Sequence, residues 1–258
     1  MRSAVLAALI ALALPAAAVT AAPAAHTHVR VPAYVLKAMH DPARKADMVN
    51  DKRRQMAAVM TFAEVKPGQT VVELVPGTGY WTRVFSQIVG THGHVYTIWP
   101  DQMAKYDGKS LAEWRQLSAI PHYANVSVLE QPAADLSVPA KADLVFTVQN
   151  YHDYHDPFMG PVNMAQFDKK VYDTLKPGGL FVVIDHVAPA GSGTADTNTL
   201  HRIDPAVVKK EVEGAGFVFA GKSDALRNPH DPHTIPVFDK SIRGHTDQFM
   251  YRFRKPAK

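Results

Sequence analysis

Apolar and polar positions fall in blocks along this chain, and the period of the blocks switches in a regular order. In Thr70-Val71-Val72-Glu73-Leu74-Val75-Pro76-Gly77-Thr78-Gly79-Tyr80-Trp81, an apolar run carrying one acid gives way to a tight Gly-x-Gly turn. That order predicts a buried parallel strand, a loop that lets backbone approach a ligand, and a helix over residues 80–89 stopped by Gly90. Further strands are expected over 94–99, 125–129, 143–148, 180–184, 217–220 and 247–254. The last of these sets Phe249, Tyr251 and Phe253 against Met250, Arg252 and Arg254 with a period of two.

Helical segments separate most of these strands. Ser110-Leu111-Ala112-Glu113 has capping-box spacing, a helix over 164–175 runs into Lys176-Pro177-Gly178-Gly179, and Asp204-Pro205 opens a helix through Val212 that Gly216 ends. Upstream, Asp41-Pro42 starts a helical region carrying Met48, Met56, Val59, Met60 and Phe62, an N-terminal extension over about 32–66 that would cover one edge of the sheet. Alternation of strand and helix predicts an α/β fold with a doubly wound, seven-stranded, mainly parallel sheet. The final strand follows a long polar loop rather than a helix, so it is expected to run antiparallel.

Composition narrows the class. With 258 residues, 47% hydrophobic and 20% charged, the chain can build one large core. Met1-Arg2-Ser3, the apolar run over 4–14 and the small residues that follow Pro15 read as a signal peptide over 1–25, leaving 26–258 as a single domain without an integral membrane segment. There are no cysteines, hence no disulfide and no lipid-modified cysteine, and the expected location is periplasmic or secreted. The net charge of +4 is interspersed among acids and bases, so no nucleic-acid partner is expected.

The glycine loop after the first strand, six strand–helix units and a seventh strand without a helix resemble the class I S-adenosylmethionine-dependent methyltransferases, and more narrowly an exported "predicted methyltransferase" family. The resemblance covers about Val31 to the C-terminus and rests on Glu-Leu-x-Pro-Gly-x-Gly-Tyr at 73–80, Gln149-Asn150-Tyr151-His152-Asp153, Leu175-Lys176-Pro177-Gly178-Gly179, Leu200-His201-Arg202-Ile203-Asp204, and Arg243-Gly244-His245-Thr246-Asp247. It implies a Rossmann-like methyltransferase fold and S-adenosyl-L-methionine as cofactor, with a small-molecule methyl acceptor. Glu73, Gly77 and Gly79 would contact the methionine part, alongside Pro76, Thr78, Tyr80, Gln149, Asn150 and Tyr151. The family carries an acid at the end of the second strand for the ribose hydroxyls, where this chain has Trp99-Pro100-Asp101. Either Asp101 serves from two residues on, or Trp99 stacks on the cofactor. Val75 replaces the first glycine of the usual Gly-x-Gly-x-Gly, which predicts a slightly different loop path.

Ligands of open α/β sheets bind beyond the carboxyl ends of the strands, so the cluster from Gln149 to His155 should share a crevice with Asp185-His186 and the glycine loop, with His201 and Arg202 folding over from the next loop. The candidate catalytic residues are His152, Asp153, His155, Asp185 and His186. Two mechanisms are open: His152 or His155 as general base oriented by a carboxylate, or a divalent metal on Asp153, Asp185 and His186. The metal-free route is favoured, because the group lacks a third clear carboxylate. His230-Asp231-Pro232-His233 has ligand-like spacing but reads as a solvated loop. Two other classes compete with the transferase: a periplasmic binding or scaffold protein whose Val75 and Trp99 mark a decayed cofactor site, and a metal-dependent hydrolase using the same His/Asp cluster.

Overall fold

A computed structural model describes residues 30–257; the expected signal segment over 1–25 lies outside them. Seven strands form one sheet: β1 (Thr70–Leu74), β2 (His94–Pro100), β3 (Val126–Gln131), β4 (Ala142–Val148), β5 (Leu175–His186), β6 (Val218–Ser223) and β7 (Gln248–Arg254). Their spatial order is β3-β2-β1-β4-β5-β7-β6. Strands β1 to β5 pair in parallel, and β7 inserts antiparallel between β5 and β6. The sheet is therefore the doubly wound, mainly parallel one that the alternating pattern predicts, with the expected antiparallel last strand.

Alternate residues of the central strands feed two cores. Val71, Leu144, Phe146 and Val182 face α1 (Ala33–Met39), α2 (Met56–Ala63), α3 (Tyr80–Val89), α4 (Asp101–Tyr106) and α5 (Gly108–Leu117). Val72, Val145, Phe181 and Val183 face α6 (Met164–Thr174), α7 (Thr197–Leu200) and α8 (Pro205–Gly214), where Phe167, Val171, Val208 and Val212 pack. A period-two strand can be apolar on both sides only when both faces are covered, and here they are.

Three local expectations change. Helix α5 is capped three residues before the start of the predicted capping box, because the Asp107 carboxylate accepts the Ser110 N–H and takes the cap for itself. Asp41 does cap, accepting from Ala43 N–H, but the segment it opens is a 3₁₀ turn, Pro42–Arg44, and the extension becomes regular helix only in α1 and α2. The His230 to His233 stretch is not simply solvated: Asp231 is buried, binds the buried Arg202 through two bonds of 2.9 Å, and accepts the Asp247 N–H. Asp247 in turn binds Arg227 and His233. Arg202 is thereby committed to this network rather than to the strand-end crevice. Among the described residues no helix is long and apolar enough to cross a membrane.

Candidate functional site

The carboxyl ends of β1, β4 and β5 open onto a cavity of about 620 Å³. Its first wall is the β1–α3 loop, with Glu73, Val75, Pro76, Gly77 and Thr78. Gly77 has φ +53° and a Cβ there would meet nothing within 4 Å, so the backbone presents bare space to the cavity. Helix α3 follows with no side-chain cap, its first N–H groups left for a ligand. Val75 adopts φ +50°, a left-handed conformation that a β-branched residue rarely holds. The loop thus follows a glycine-like path despite the substitution, contrary to the different path expected from the sequence.

Glu73 forms the floor of this half. It is 2% exposed and accepts the Thr82 hydroxyl at 2.5 Å. Burial pushes its carboxyl up to about 8, against the opposing pull of that hydrogen bond and of Arg83 and Arg54. Arg54, from the turn before α2, reaches in above Tyr80 with its guanidinium 4.6 Å from the ring centroid. Its buried Nε has no hydrogen-bond partner. The indole N–H of Trp81, also at the cavity wall, is buried and unpartnered as well. A fixed cation and an unused donor facing an ionisable carboxyl form a site shaped for an ion carrying both charges. Sequence spacing gave no sign of Arg54, since only the packing of the extension over the glycine loop brings it there.

The opposite pole is built from the β4 and β5 ends. Asp185 is fully buried at the end of β5 and its oxygens accept three N–H bonds: His152 Nδ1 at 2.8 Å, His152 backbone N at 2.9 Å, and His186 backbone N at 2.8 Å. As an acceptor-only carboxylate it fixes the proton of His152 on Nδ1 and turns Nε2 outward. There Nε2 lies 3.3 Å from Asp153 Oδ1 and 3.2 Å from His201 Nδ1. Burial alone would lower the His152 ring, but the Asp185 charge and hydrogen bond outweigh it and push it up to about 9. Burial likewise tends to raise Asp185, and the His152 ring holds it below the usual carboxylate range. Burial raises Asp153 to about 6 and drops His186 to about 3; His186 Nδ1 meets the Thr246 hydroxyl at 2.8 Å.

Between the poles the wall is apolar and aromatic: Met103 and Tyr106 from α4, Phe158, and Phe238. Tyr106 meets Phe158 edge-on at 5.4 Å, and Phe238 meets His201 at 4.8 Å. Neither Tyr106 nor Phe238 was evident from the sequence, and both are well exposed at the rim, 75% and 57%.

The expected site residues divide. Glu73, Pro76, Gly77, Thr78, Tyr80, Gln149, Asn150, His152, Asp153 and His186 line the cavity. Six others do not. Trp99 is 1% exposed within the core, so it has no free face on which to stack, and Asp101 is the first residue of α4 and lies off the cavity wall. Tyr151 and His155 sit on the far side of the short His152–His155 turn, where Tyr151 binds Asp168 and Glu211, and His155 binds Glu211. Asp185 stands behind His152, and Gly79 faces Trp114. The trio of the less favoured metal route, Asp153, Asp185 and His186, does not converge; among the described residues the His/Asp group that does is His152, Asp153 and His201.

A family model described as "Protein-L-isoaspartate(D-aspartate) O-methyltransferase (PCMT)" matches residues 27–131, the stretch that carries the glycine loop. Ubiquinone/menaquinone biosynthesis C-methyltransferase UbiE from Psychromonas ingrahamii is 30% identical over 160 residues, which is 58% of each chain. The UbiE of Vibrio campbellii is 26% identical over 223 residues, covering 83% of this chain and 75% of its own length. Among solved structures, a SAM-dependent methyltransferase from Aquifex aeolicus superposes with a TM-score of 0.53 at 18% identity, over 86% of this chain and 96% of that one. The [4+2]-cyclase SpnF superposes at 0.57, with 18% identity, over 80% and 81%. These two likenesses speak to the fold alone.

The residues present suit S-adenosylmethionine. Arg54 could supply a cation for its carboxylate, Glu73 when ionised an acceptor for its ammonium, and Gly77 open backbone beside them. The matched family model, the related enzymes and the strand order agree in supporting a class I S-adenosylmethionine-dependent methyltransferase, and they imply S-adenosylmethionine as its cofactor.

Proposed function

We propose that this protein transfers the cofactor's methyl group to an oxygen or nitrogen of a small molecule, and that the acceptor is a flat, hydroxyl- or amine-bearing aromatic compound. The observation that carries this reading is the separation of two poles in one cavity, Arg54 and Glu73 at the glycine loop and His152, Asp153 and His201 across an aromatic wall. The cofactor supplies an electrophilic methyl on a sulfonium. The protein's part is to hold the acceptor ring against Phe158 and Phe238, to present its hydroxyl or amine to the His152 pole, and to take up the proton released as the new bond forms. The aromatic wall also agrees with relatives named for ubiquinone and menaquinone biosynthesis. Their printed activity is C-methylation; the heteroatom assignment rests instead on the proton-accepting pole.

Calorimetric titration with S-adenosylhomocysteine tests the first half. Micromolar binding is expected, weakened at least ~10-fold in Arg54→Ala, the loss of one charge-assisted contact. Affinity should also climb with pH up to about 8. Glu73 in the free protein is protonated below that value, and a bound ammonium favours its charged form, so binding expels a proton in that window. The same raised value makes Glu73 a source of stability that is complete below its ordinary value of 4.5 and is lost as pH rises through about 8. No binding at millimolar ligand would favour the binding or scaffold reading.

We also propose export, supported by the basic start, apolar run and small-residue site of the first 25 residues. Protein from the host envelope should then begin between Ala21 and Ala25 by intact mass. A soluble cytoplasmic form retaining Met1 would remove this part of the reading.

A further inference from the structure

Three side-chain ligand atoms at the acceptor pole, from His152, Asp153 and His201, converge on one point. Asp185 engages His152 Nδ1 and so turns Nε2 toward the shared point. Facing it are a carboxylate oxygen, Asp153 Oδ1 at 3.3 Å, and a second imidazole nitrogen, His201 Nδ1 at 3.2 Å; those two lie 3.9 Å apart. Two of the three separations are those of ligands around a metal, since bonds of about 2.0–2.1 Å in a tetrahedral site put the ligand atoms about 3.3 Å apart, and the third is wider.

We propose that His152 Nε2, Asp153 Oδ1 and His201 Nδ1 form a binding site for a divalent transition-metal ion, with its open position facing the cavity.

Two imidazoles and one carboxylate suit zinc, iron, cobalt or manganese rather than magnesium or calcium, which prefer all-oxygen sets. The surrounding shell is built in the manner of known histidine–metal sites. Asp185 receives the far N–H of His152 and so fixes the ring's tautomer and direction. Asn150 Nδ2 donates to the second oxygen of Asp153 at 3.4 Å, which steers Oδ1 to the shared point. His201 is held at φ +53° as the left-handed C-cap of α7, and the Phe238 ring packs against its side chain. Asp185 and His186 stand outside the converging group: three N–H bonds engage the Asp185 oxygens, and His186 Nδ1 meets Thr246. An ion there would hold an acceptor hydroxyl at the end of the aromatic wall and acidify it. That role rests on the methyl-transfer reading, whereas the ion site itself does not.

The test uses untagged full chain stripped with chelator, then titrated with Co²⁺, followed by its visible absorption, and with Zn²⁺ by calorimetry. One ion per chain with micromolar or tighter affinity is expected, and no saturable Mg²⁺ binding at the same concentrations. His201 is half-buried on a loop, so His201→Ala should fold normally and weaken the site at least ~10-fold, as should Asp153→Asn; Asp185→Asn should cost ~10–100-fold without removing a ligand. Absence of saturable Co²⁺ and Zn²⁺ binding, or binding unchanged in both His201→Ala and Asp153→Asn, would overturn the site and leave a shared proton as the link among these groups. S-adenosylhomocysteine titration of the same samples keeps the two readings apart: intact cofactor binding with no metal sinks the ion site alone.

Discussion

His152→Ala is expected to lower methyl-transfer turnover by ~10²–10⁴-fold while leaving S-adenosylhomocysteine affinity close to wild type. The ring is 2% exposed and lies across the cavity from Arg54 and Glu73, so its loss removes the oriented polar group at the acceptor pole without touching the cofactor end. Asp185→Asn should reproduce much of the loss with the histidine still present. An amide offers its N–H₂ or its oxygen to Nδ1 but can no longer accept the same three N–H bonds, so the ring's tautomer and direction are no longer fixed. The signature that separates positioning from mere damage is a fall in kcat with cofactor binding and melting temperature little changed. Wild-type turnover in a folded His152→Ala protein would leave this pole a structural feature only.

Gly79→Ala is expected to destabilise the fold by ~2–4 kcal/mol, whereas Gly77→Ala, two residues away, should cost only ~1 kcal/mol. The contrast follows from what each new methyl would meet. At Gly79 it would stand 1.9 Å from Cζ2 of Trp114 on top of a backbone at φ +77°, forcing the indole or the start of α3 to move. At Gly77 it would meet open space and pay only for φ +53°. Urea unfolding of the two variants measures the difference. The cofactor responses should run the other way among folded molecules, because Gly77 is at the cavity wall and Gly79 is not: Gly77→Ala should weaken S-adenosylhomocysteine binding directly. Equal stability of the two variants would contradict the packing described for Trp114.

Elements with strong local signals were readable from the chain. The helix expected over 80–89 is Tyr80–Val89, because a glycine stands at each end and its buried face recurs at helical spacing. Strand β5 runs longer than the predicted 180–184, since Leu175 pairs with Ala142 before the register shifts. Which strand-end residue faces the crevice was not readable. Residues 151 to 155 form one tight turn, so Tyr151 and His155 look toward α6 and α8 while their neighbours His152 and Asp153 look into the cavity. Arg54, Phe158 and Phe238 come from segments far apart in sequence, and only tertiary packing gathers them. The role of Asp231 was hidden for the same reason: its partner Arg202 lies twenty-nine residues away.

Val75, Gln149 and His201 are all held in left-handed backbone, and all three line the cavity. At each position asparagine or glycine would sit more comfortably, so selection for a sturdier protein and selection for a working one pull on these sites in opposite directions. Homologues that drift under thermal pressure alone would relax at these three positions first. A lineage that keeps valine, glutamine and histidine there in spite of the strain is one in which the shape of the pocket is still under use.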